Sequence, residues 1–180
     1  MDRVRRLVVG IIVLVVAGLV VLVVTVRPGL RQTADRVDRS WTPLVEPLNA
    51  RYRSLAGLRD ALNTAGRGKR TVVTELSKEL THWSGAATGT DADEQVTIAN
   101  RLEALAARTG ALVRTPRLLE NATLATAFTN FTKTEPQKAL LDAYNHKVLA
   151  YQGDRDGFWS RIVARLDGYD MRPTLQLVTA

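Results

Sequence analysis

An uncharged stretch near the N-terminus, VVGIIVLVVAGLVVLVVTV at residues 8–26, constrains this chain more than any other feature. With Leu7 the apolar run covers residues 7–26, and a helix rising about 1.5 Å per residue would then extend about 30 Å, the hydrocarbon thickness of a bilayer. A cleaved secretion signal has a shorter apolar region and ends at a small-x-small site, which this run does not offer. The sequence therefore predicts a retained transmembrane helix at residues 7–26. A cleaved signal and a buried core helix are the alternatives.

Arginines flank this run on both sides and leave its orientation open. The predicted basic tail at residues 1–6 contains three arginines, Arg3, Arg5 and Arg6. Four more follow the run closely: Arg27, Arg31, Arg36 and Arg39. The positive-inside rule therefore gives nearly equal counts. Because a large domain can be exported regardless of charge while a three-arginine tail resists translocation, the balance leans slightly to an extracytoplasmic domain. We expect a single-pass protein of the cell membrane.

The remaining residues, 27–180, are long enough for one domain with its own core. Cysteine is absent, which excludes disulfides and thiolate metal sites. The net charge is +7, but the first 26 residues hold three Arg and one Asp, so only +5 is spread along the rest. There is no dense basic block, and the aromatic residues do not alternate with arginine as stacking platforms for bases do. The sequence therefore predicts no nucleic-acid partner.

Apolar residues recur after the run with steps of three, four and seven, which is the spacing of one helix face. This seam consists of Val37, Trp41, Leu44, Leu48, Leu55, Leu58 and Leu62. Only the Arg51 position is polar, with Tyr52 beside it. Proline removes a backbone hydrogen bond, so Pro43 and Pro47 predict a kinked helix or a start near Thr42. Pro28-Gly29 should separate this helix from the apolar run, and glycines 66 and 68 should end it.

Further helical patterns follow along the chain. The first of these predicted helices runs from Val73 to Trp83, and the second from Ile98 to Val113 with Asp91 or Asp93 as its cap. A short helix is predicted from Leu118 to Phe131. The last long helix should run from Leu141 past Phe158 to Ile162, with Thr134 as its N-cap. The expected core includes Leu55, Leu58, Leu102, Leu141, Tyr144 and Val148. The predicted fold is all-α: an N-terminal transmembrane helix followed by an antiparallel bundle of long amphipathic helices with coiled-coil-like packing.

Three segments of the sequence resemble the LemA family. RVDRSWTPLVEPLNARYRSLAGLRDAL at 36–62 is similar to the family's opening, with Val37, Asp38, Trp41, Arg51 and Tyr52 at the matching places. TPRLLENATLATAFTNF is similar to its Pro-x-Leu-x-x-Asn segment through Pro116 and Asn121, and DAYNHKVLAYQ to its second signature through Tyr144, Asn145 and Tyr151. The order and the spacing of these segments, and the preceding apolar run, agree over nearly the whole chain.

This resemblance implies a membrane-anchored helical-bundle domain at residues 27–180, from a bacterial family whose molecular role is unsettled. The chain departs from the family near its C-terminus, where glycines 153 and 157 occupy a helix that they weaken by up to about 1 kcal/mol each. It also has Ala56 where the family usually has proline. The family is suspected of envelope functions.

No residue pattern in the sequence indicates catalysis, a cofactor or a metal. His82 and His146 are 64 positions apart without a metal-ligand or acid partner motif. AGRGKRT at 65–71 lacks the first Walker glycine, because Asn63 stands there, and no strand precedes it. The aromatic residues Trp41, Tyr52, Tyr144 and Tyr151 have the helical spacing of core residues, with a binding surface as the alternative.

We therefore expect a non-enzymatic, membrane-anchored interaction or scaffold module. Its partners would be the lipid bilayer and another envelope protein or a second copy of the chain, with no cofactor and no small-molecule substrate. The alternative is a lipid- or envelope-processing hydrolase with an unrecognised site. A hydrolase should show ionisable side chains converging on a cleft, whereas an interaction module should leave apolar side chains facing solvent.

Overall fold

The computed structural model describes residues 2–68, 70–115, 118 and 120–177, apart from the side chains of residues 2–9, 12, 15, 19 and 22. Within this part of the chain the regular structure consists of six α-helices and contains no strand. The predicted all-α class is confirmed. The antiparallel arrangement of the helices stays a prediction.

The first helix, α1, covers Asp2–Thr64 and is longer than expected. It continues through all three prolines of the region, Pro28, Pro43 and Pro47. The predicted break at Pro28-Gly29 and the predicted start near Thr42 are therefore wrong. Each proline inside a helix costs about 3 kcal/mol, or about 9 kcal/mol for the three. Burying one large apolar side chain contributes about 1.5–3 kcal/mol, and the seam buries seven of them, with Leu44 and Leu48 in the turns of Pro43 and Pro47. Packing of the seam outweighs the local cost of the prolines.

The ends of the next helices follow from local chemistry. After Thr64 the chain turns at Gly66, whose positive φ of 72° confirms glycine at the end of α1. Helix α2 then covers Thr71–Ala86, and α3 covers Ala92–Val113. Of the two aspartates considered as caps, Asp91 begins α3, because its Oδ1 accepts hydrogen bonds from the backbone N–H groups of Asp93 and Glu94.

The C-terminal helices differ from the prediction at two boundaries. Helix α4 covers Ala122–Lys133, α5 covers Lys138–Asp156, and α6 covers Phe158–Asp167. Thr134 does not cap α5: its hydroxyl donates to the Phe131 carbonyl at 2.8 Å, so it ends α4 instead. The last predicted helix is divided at Gly157, which precedes α6 in an extended conformation that interrupts the helical hydrogen bonds.

Among the described residues, one helix is long and apolar enough by length and composition to cross a membrane, and it is α1. A signal sequence or the core helix of a soluble protein can pass the same test. A core helix would be mostly buried, however, and the side chains of Leu14, Val20 and Val24 are 74%, 57% and 65% exposed.

Contacts divide the chain into two compact units. Of the described residues, the first unit contains 2–37 and 147–172, and the second contains 38–146 and 173–177. Helices α1 and α5 therefore contribute residues to both units. The predicted boundary between residues 26 and 27 concerns a bilayer and stays a prediction.

The seam predicted for α1 is buried along its whole length, from Val37 to Leu62. Five of the six expected core residues are also buried: Leu55, Leu58, Leu102, Tyr144 and Val148. Leu141 is only partly buried, so truncating it should cost less than the truncation of a fully buried leucine. The spacing of apolar residues therefore predicted the core correctly, except that Leu141 lies at its edge.

Candidate functional site

An ion pair is buried in the second unit at the polar position of the α1 seam. Arg51 donates from Nε to Glu103 Oε1 at 2.7 Å and from Nη2 to Glu103 Oε2 at 2.9 Å. Both side chains are almost completely excluded from solvent. The guanidinium also lies 4.4 Å from the ring centroid of Phe131. Arg51 thus joins α1 to α3 and α4 through a bidentate pair and a cation–π contact.

Tyr52, the next residue of α1, lies beside this pair. Its hydroxyl donates to the Ala99 carbonyl at 3.3 Å, and its ring meets Trp83 edge-on with centroids 4.8 Å apart. Burial raises the pKa of Tyr52 well above its usual value of 10.0, and the negative charge of Glu103 raises it further. The phenol is therefore neutral and holds its proton at neutral pH.

Trp41 connects α1 to the loop between α2 and α3 through Gln95. The indole Nε1 donates to Gln95 Oε1, and Gln95 Nε2 donates to the carbonyls of Ala86 and Gly89 at 2.8 and 3.0 Å. The Trp41 ring also packs against Tyr144, with centroids 5.2 Å apart. One buried amide therefore satisfies the tryptophan and fixes the loop at the same time.

Two asparagines hold the extended segment after α6 by its backbone in the second unit. Asn145 donates to the Leu175 carbonyl and accepts from the Leu175 N–H, both at 2.9 Å. Asn100 of α3 does the same with the neighbouring peptides, donating to Thr174 at 2.8 Å and accepting from Gln176 at 2.9 Å. The two side-chain amides thus provide this segment with backbone hydrogen bonds of the kind that a neighbouring strand would provide in a sheet.

In the first unit, the end of α5 binds the backbone of residues 169–172 in a similar way. The Tyr151 hydroxyl donates to the Asp170 carbonyl at 2.9 Å, and Gln152 Nε2 donates to the Arg172 carbonyl at 2.8 Å. Arg155 Nε donates to the Tyr169 carbonyl at 2.9 Å. These side chains fix the segment that returns from α6.

The other residues that carry the family resemblance form no common cluster among the described contacts. Val37 is buried in the first unit, whereas Asp38 is partly buried in the second. Asn121 is the N-cap of α4, because its Oδ1 accepts from the Leu124 N–H at 3.1 Å. Pro116 lies outside the described residues. All four aromatic residues of the set considered for a binding surface are buried: Trp41, Tyr52, Tyr144 and Tyr151.

Arginines at the C-terminal end of the apolar run differ in their contacts. Arg27 forms an ion pair with Asp167 of α6, with 3.0 Å between Nε and Oδ2. Arg31 is exposed. The side chains of the three arginines before the run lie outside the described residues: Arg3, Arg5 and Arg6.

Among the open clefts of the second unit, one is lined by buried aromatic residues and another contains a histidine. The first, of about 540 Å³, is lined by Asn49, Tyr52, Arg53 and Trp83 among others, and none of its described lining residues is a histidine or a carboxylate. The second contains His82 with Asp91, Asp93 and Glu94. Those three acids occupy the N-terminus of α3, where negative charge stabilises a helix, and Asp91 is already its cap. No group of three His, Asp or Glu side chains that could hold a metal is found in the described part of the chain.

Sequence reasoning missed Glu103, Gln95 and Asn100. A signal for the first was present, because a single arginine inside a leucine seam requires a buried acid on a facing helix. The amides gave no signal, since they bind backbone groups and, for Gln95, the Trp41 N–H, and such contacts follow no spacing in the sequence.

Comparison with models of known protein families, with curated proteins and with solved structures finds no match for this chain. The resemblance to the LemA family therefore stays a prediction.

Proposed function

We propose that the chain is a LemA-like, single-pass protein of a bacterial cell membrane that acts by contact with another envelope protein or with a second copy of itself. The observation that carries this proposal is the uncovered apolar segment of α1. Among its described side chains, those from Ile11 to Val21 are exposed, and Val23 near the end of the segment packs against the small core around Leu30. Such a surface needs an apolar partner, and a bilayer is the partner whose thickness the segment matches.

The one hydroxyl of this segment also fits a hydrocarbon environment. Thr25 donates from Oγ1 to the Val21 carbonyl at 2.8 Å, so its polar group is satisfied inside the helix. The backbone of a helix is likewise satisfied within itself, which is the requirement for a span in lipid. This supports a retained anchor at residues 7–26.

Contacts between helices support an antiparallel bundle in the second unit. Glu75 near the start of α2 pairs with Arg108 near the end of α3, while Gln95 near the start of α3 bonds to Ala86 at the end of α2. These two pairs describe neighbouring helices that run in opposite directions. We infer that the same up-and-down order continues through the bundle.

Contact rather than catalysis is favoured by what the buried polar groups do. Arg51 and Glu103 bind each other between helices, and Gln95 binds Trp41 and the carbonyls of Ala86 and Gly89, so these three side chains do not converge on one cleft. At the same time the first unit leaves large apolar side chains in solvent outside α6 as well, Leu149 on α5 and Met171 after α6. Exposed apolar surface of this kind is typical of interaction sites.

Photo-crosslinking in native membranes tests the proposal. A photoreactive amino acid at exposed Leu149 or Met171 of the first unit should capture one reproducible partner, and the same group at buried Leu55 should not. A single substitution of His82 or Glu94 that abolishes complementation of a deletion strain, with folding and crosslinks intact, would favour the hydrolase instead. A mature N-terminus after residue 26, or release by alkaline carbonate, would exclude the anchor.

A further inference from the structure

Helix α6 in the first unit has one face packed against α1. Val163 and Ala164 are completely buried and form a small core with Leu30, and Val23 and Val26 pack against the same cluster. The ion pair between Arg27 and Asp167 closes this contact. Helix α6 is therefore attached to α1 at the C-terminal end of the apolar run.

The opposite face of α6 is apolar and largely exposed in the described structure, with only Ile162 partly buried. Phe158, Ile162 and Leu166 follow one another at four-residue intervals, which places them on one stripe of the helix, and Trp159 lies beside them. Phe158 is 72% exposed, Trp159 56% and Leu166 65%. The Phe158 and Trp159 rings meet edge-on at 4.8 Å and form an aromatic pair on the surface. We refer to these four residues as the α6 stripe.

Positive charge borders the stripe along one side. Arg161 and Arg165 are both exposed, and their helical positions lie next to Phe158 on the side away from Trp159. The helix thus presents apolar and aromatic side chains with adjoining arginines, and its remaining face is already used for packing on α1. Amphipathic helices with this composition lie in the plane of a membrane surface.

The place where α6 is attached decides which surface it meets. If residues 7–26 cross the bilayer, Val23 to Leu30 lie where the span leaves the hydrocarbon, and the seven helical steps between them cover only about 10 Å. The interfacial layer is about 5–8 Å deep on each side, so this segment extends from the edge of the hydrocarbon through the headgroups. The α6 stripe is therefore held at the level where tryptophan and phenylalanine contact acyl chains and arginine contacts phosphate.

We propose that α6 is an interfacial helix whose stripe binds the bilayer leaflet at the C-terminal end of the span, with Arg161 and Arg165 binding lipid phosphate groups. This proposal rests on the proposed function, because it requires residues 7–26 to be inserted. A second copy of the chain would also cover an apolar stripe, but arginines beside aromatic residues at this level match a phospholipid headgroup region better than they match an identical basic helix.

The test measures the depth of spin labels in the full chain, reconstituted at one chain per nanodisc. Because the sequence contains no cysteine, single labels can be introduced by F158C, L166C and, as a control in the second unit, T123C. Each is compared for collision with oxygen, which concentrates in lipid, and with a nickel chelate, which stays in water. The two stripe labels should favour oxygen at least several-fold over the Thr123 label, in discs with and without phosphatidylglycerol.

A fourth label, at L14C, separates this proposal from the one on which it rests. Stripe labels that favour the nickel chelate while the Leu14 label favours oxygen would overturn the interfacial helix and leave the anchor standing. Nickel accessibility at Leu14 as well would overturn both. Immersion of the stripe only when two chains share a disc, with dipolar broadening between labels, would assign the stripe to a second copy and overturn the lipid assignment.

The arginines are tested by a double substitution, R161Q with R165Q, in the labelled F158C chain. Phosphatidylglycerol should deepen the label in the parent chain, and the double substitution should remove most of that difference. A lipid dependence that is unchanged by the substitution would contradict the assignment of the two arginines to lipid phosphate.

Discussion

Neutralising Glu103 removes the negative partner of Arg51 without changing the shape of the side chain. In the variant Glu103→Gln, the guanidinium keeps a hydrogen-bond acceptor but loses the opposite charge, and it has no access to water. Breaking one side of a buried ion pair costs about 3–5 kcal/mol because the remaining charge stays desolvated. We expect a loss near the lower end, about 3 kcal/mol in the free energy of unfolding, since the amide still accepts one bond.

The assay is urea unfolding of the full chain in a non-ionic detergent, followed by tryptophan fluorescence. Trp41 and Trp83 report on the second unit, and the substitution Trp159→Phe in every variant removes the signal of the first. At unchanged slope, a loss of 3 kcal/mol lowers the midpoint by about 1–3 M urea. Glu46→Gln is the matched control, because Glu46 pairs with Arg53 on the surface and should contribute little.

A double replacement distinguishes a buried charge from general damage to the core. Arg51→Leu with Glu103→Leu removes both charges, and such replacements are neutral or stabilising in other buried pairs. We expect the double variant to be clearly more stable than Glu103→Gln. A change below about 1 kcal/mol for Glu103→Gln, or a double variant that is no more stable than the single one, would refute the reasoning.

Two further predictions follow from other contacts of the second unit. Because burial raises the pKa of Tyr52 in the folded state, the unfolded chain loses the phenol proton first as the pH rises above 10, and the free energy of unfolding should fall by up to about 1.4 kcal/mol per pH unit. The variant Tyr52→Phe should remove that part of the slope in urea midpoints measured from about pH 8 to 11. Parallel pH curves for the variant and the parent chain would contradict this prediction. The variant Asn145→Ala should speed hydrogen exchange at the Leu175 amide about tenfold, as expected for the loss of a hydrogen bond. The control Asn130→Ala, on the surface of α4, should leave that exchange rate unchanged. Equal exchange rates in the two variants would show that Asn145 does not hold the segment.

The buried seam of α1 could be predicted from the sequence because a helix face repeats every three or four residues and its burial dominates stability. Leu55 and Leu58 were assigned to the core on this basis, and both are completely buried. Gly66 could also be placed, and the cap of α3 could be narrowed to Asp91 or Asp93, since a cap and a left-handed turn depend only on neighbouring backbone groups.

The prolines were misjudged for the opposite reason. The local preference of Pro43 opposes a helix, and only contacts distant in sequence reveal that burying Leu44 and Leu48 outweighs it. Thr134 was misjudged because a threonine between two helices can serve either of them, and its hydroxyl binds the earlier one. Propensity is a weak guide wherever tertiary packing or an alternative partner decides.

The candidate site could be predicted only where a residue was out of place in its pattern. Arg51 interrupts an apolar seam, so its special environment was visible in the sequence, although its partner was not. The segment after α6 has no period of its own, and the asparagines that bind it use amide groups whose partners are backbone atoms. Such contacts depend on the folded shape of the chain, and they produce no regular spacing of residues in the sequence from which they could be predicted.

The positions that carry the resemblance to the LemA family have a common physical role in the second unit, and that role bears on function. Trp41, Arg51, Tyr52 and Asn145 each place a polar group against a specific partner on another helix or segment. Leaving any of these buried groups without its partner would cost about 1–3 kcal/mol, and more for the charge, so each disfavours alternative packings of the helices. Catalytic groups would instead have to meet at one reacting atom. These contacts hold the helices of the second unit in one arrangement, and the proposal that the chain acts by contact requires a surface held in this way.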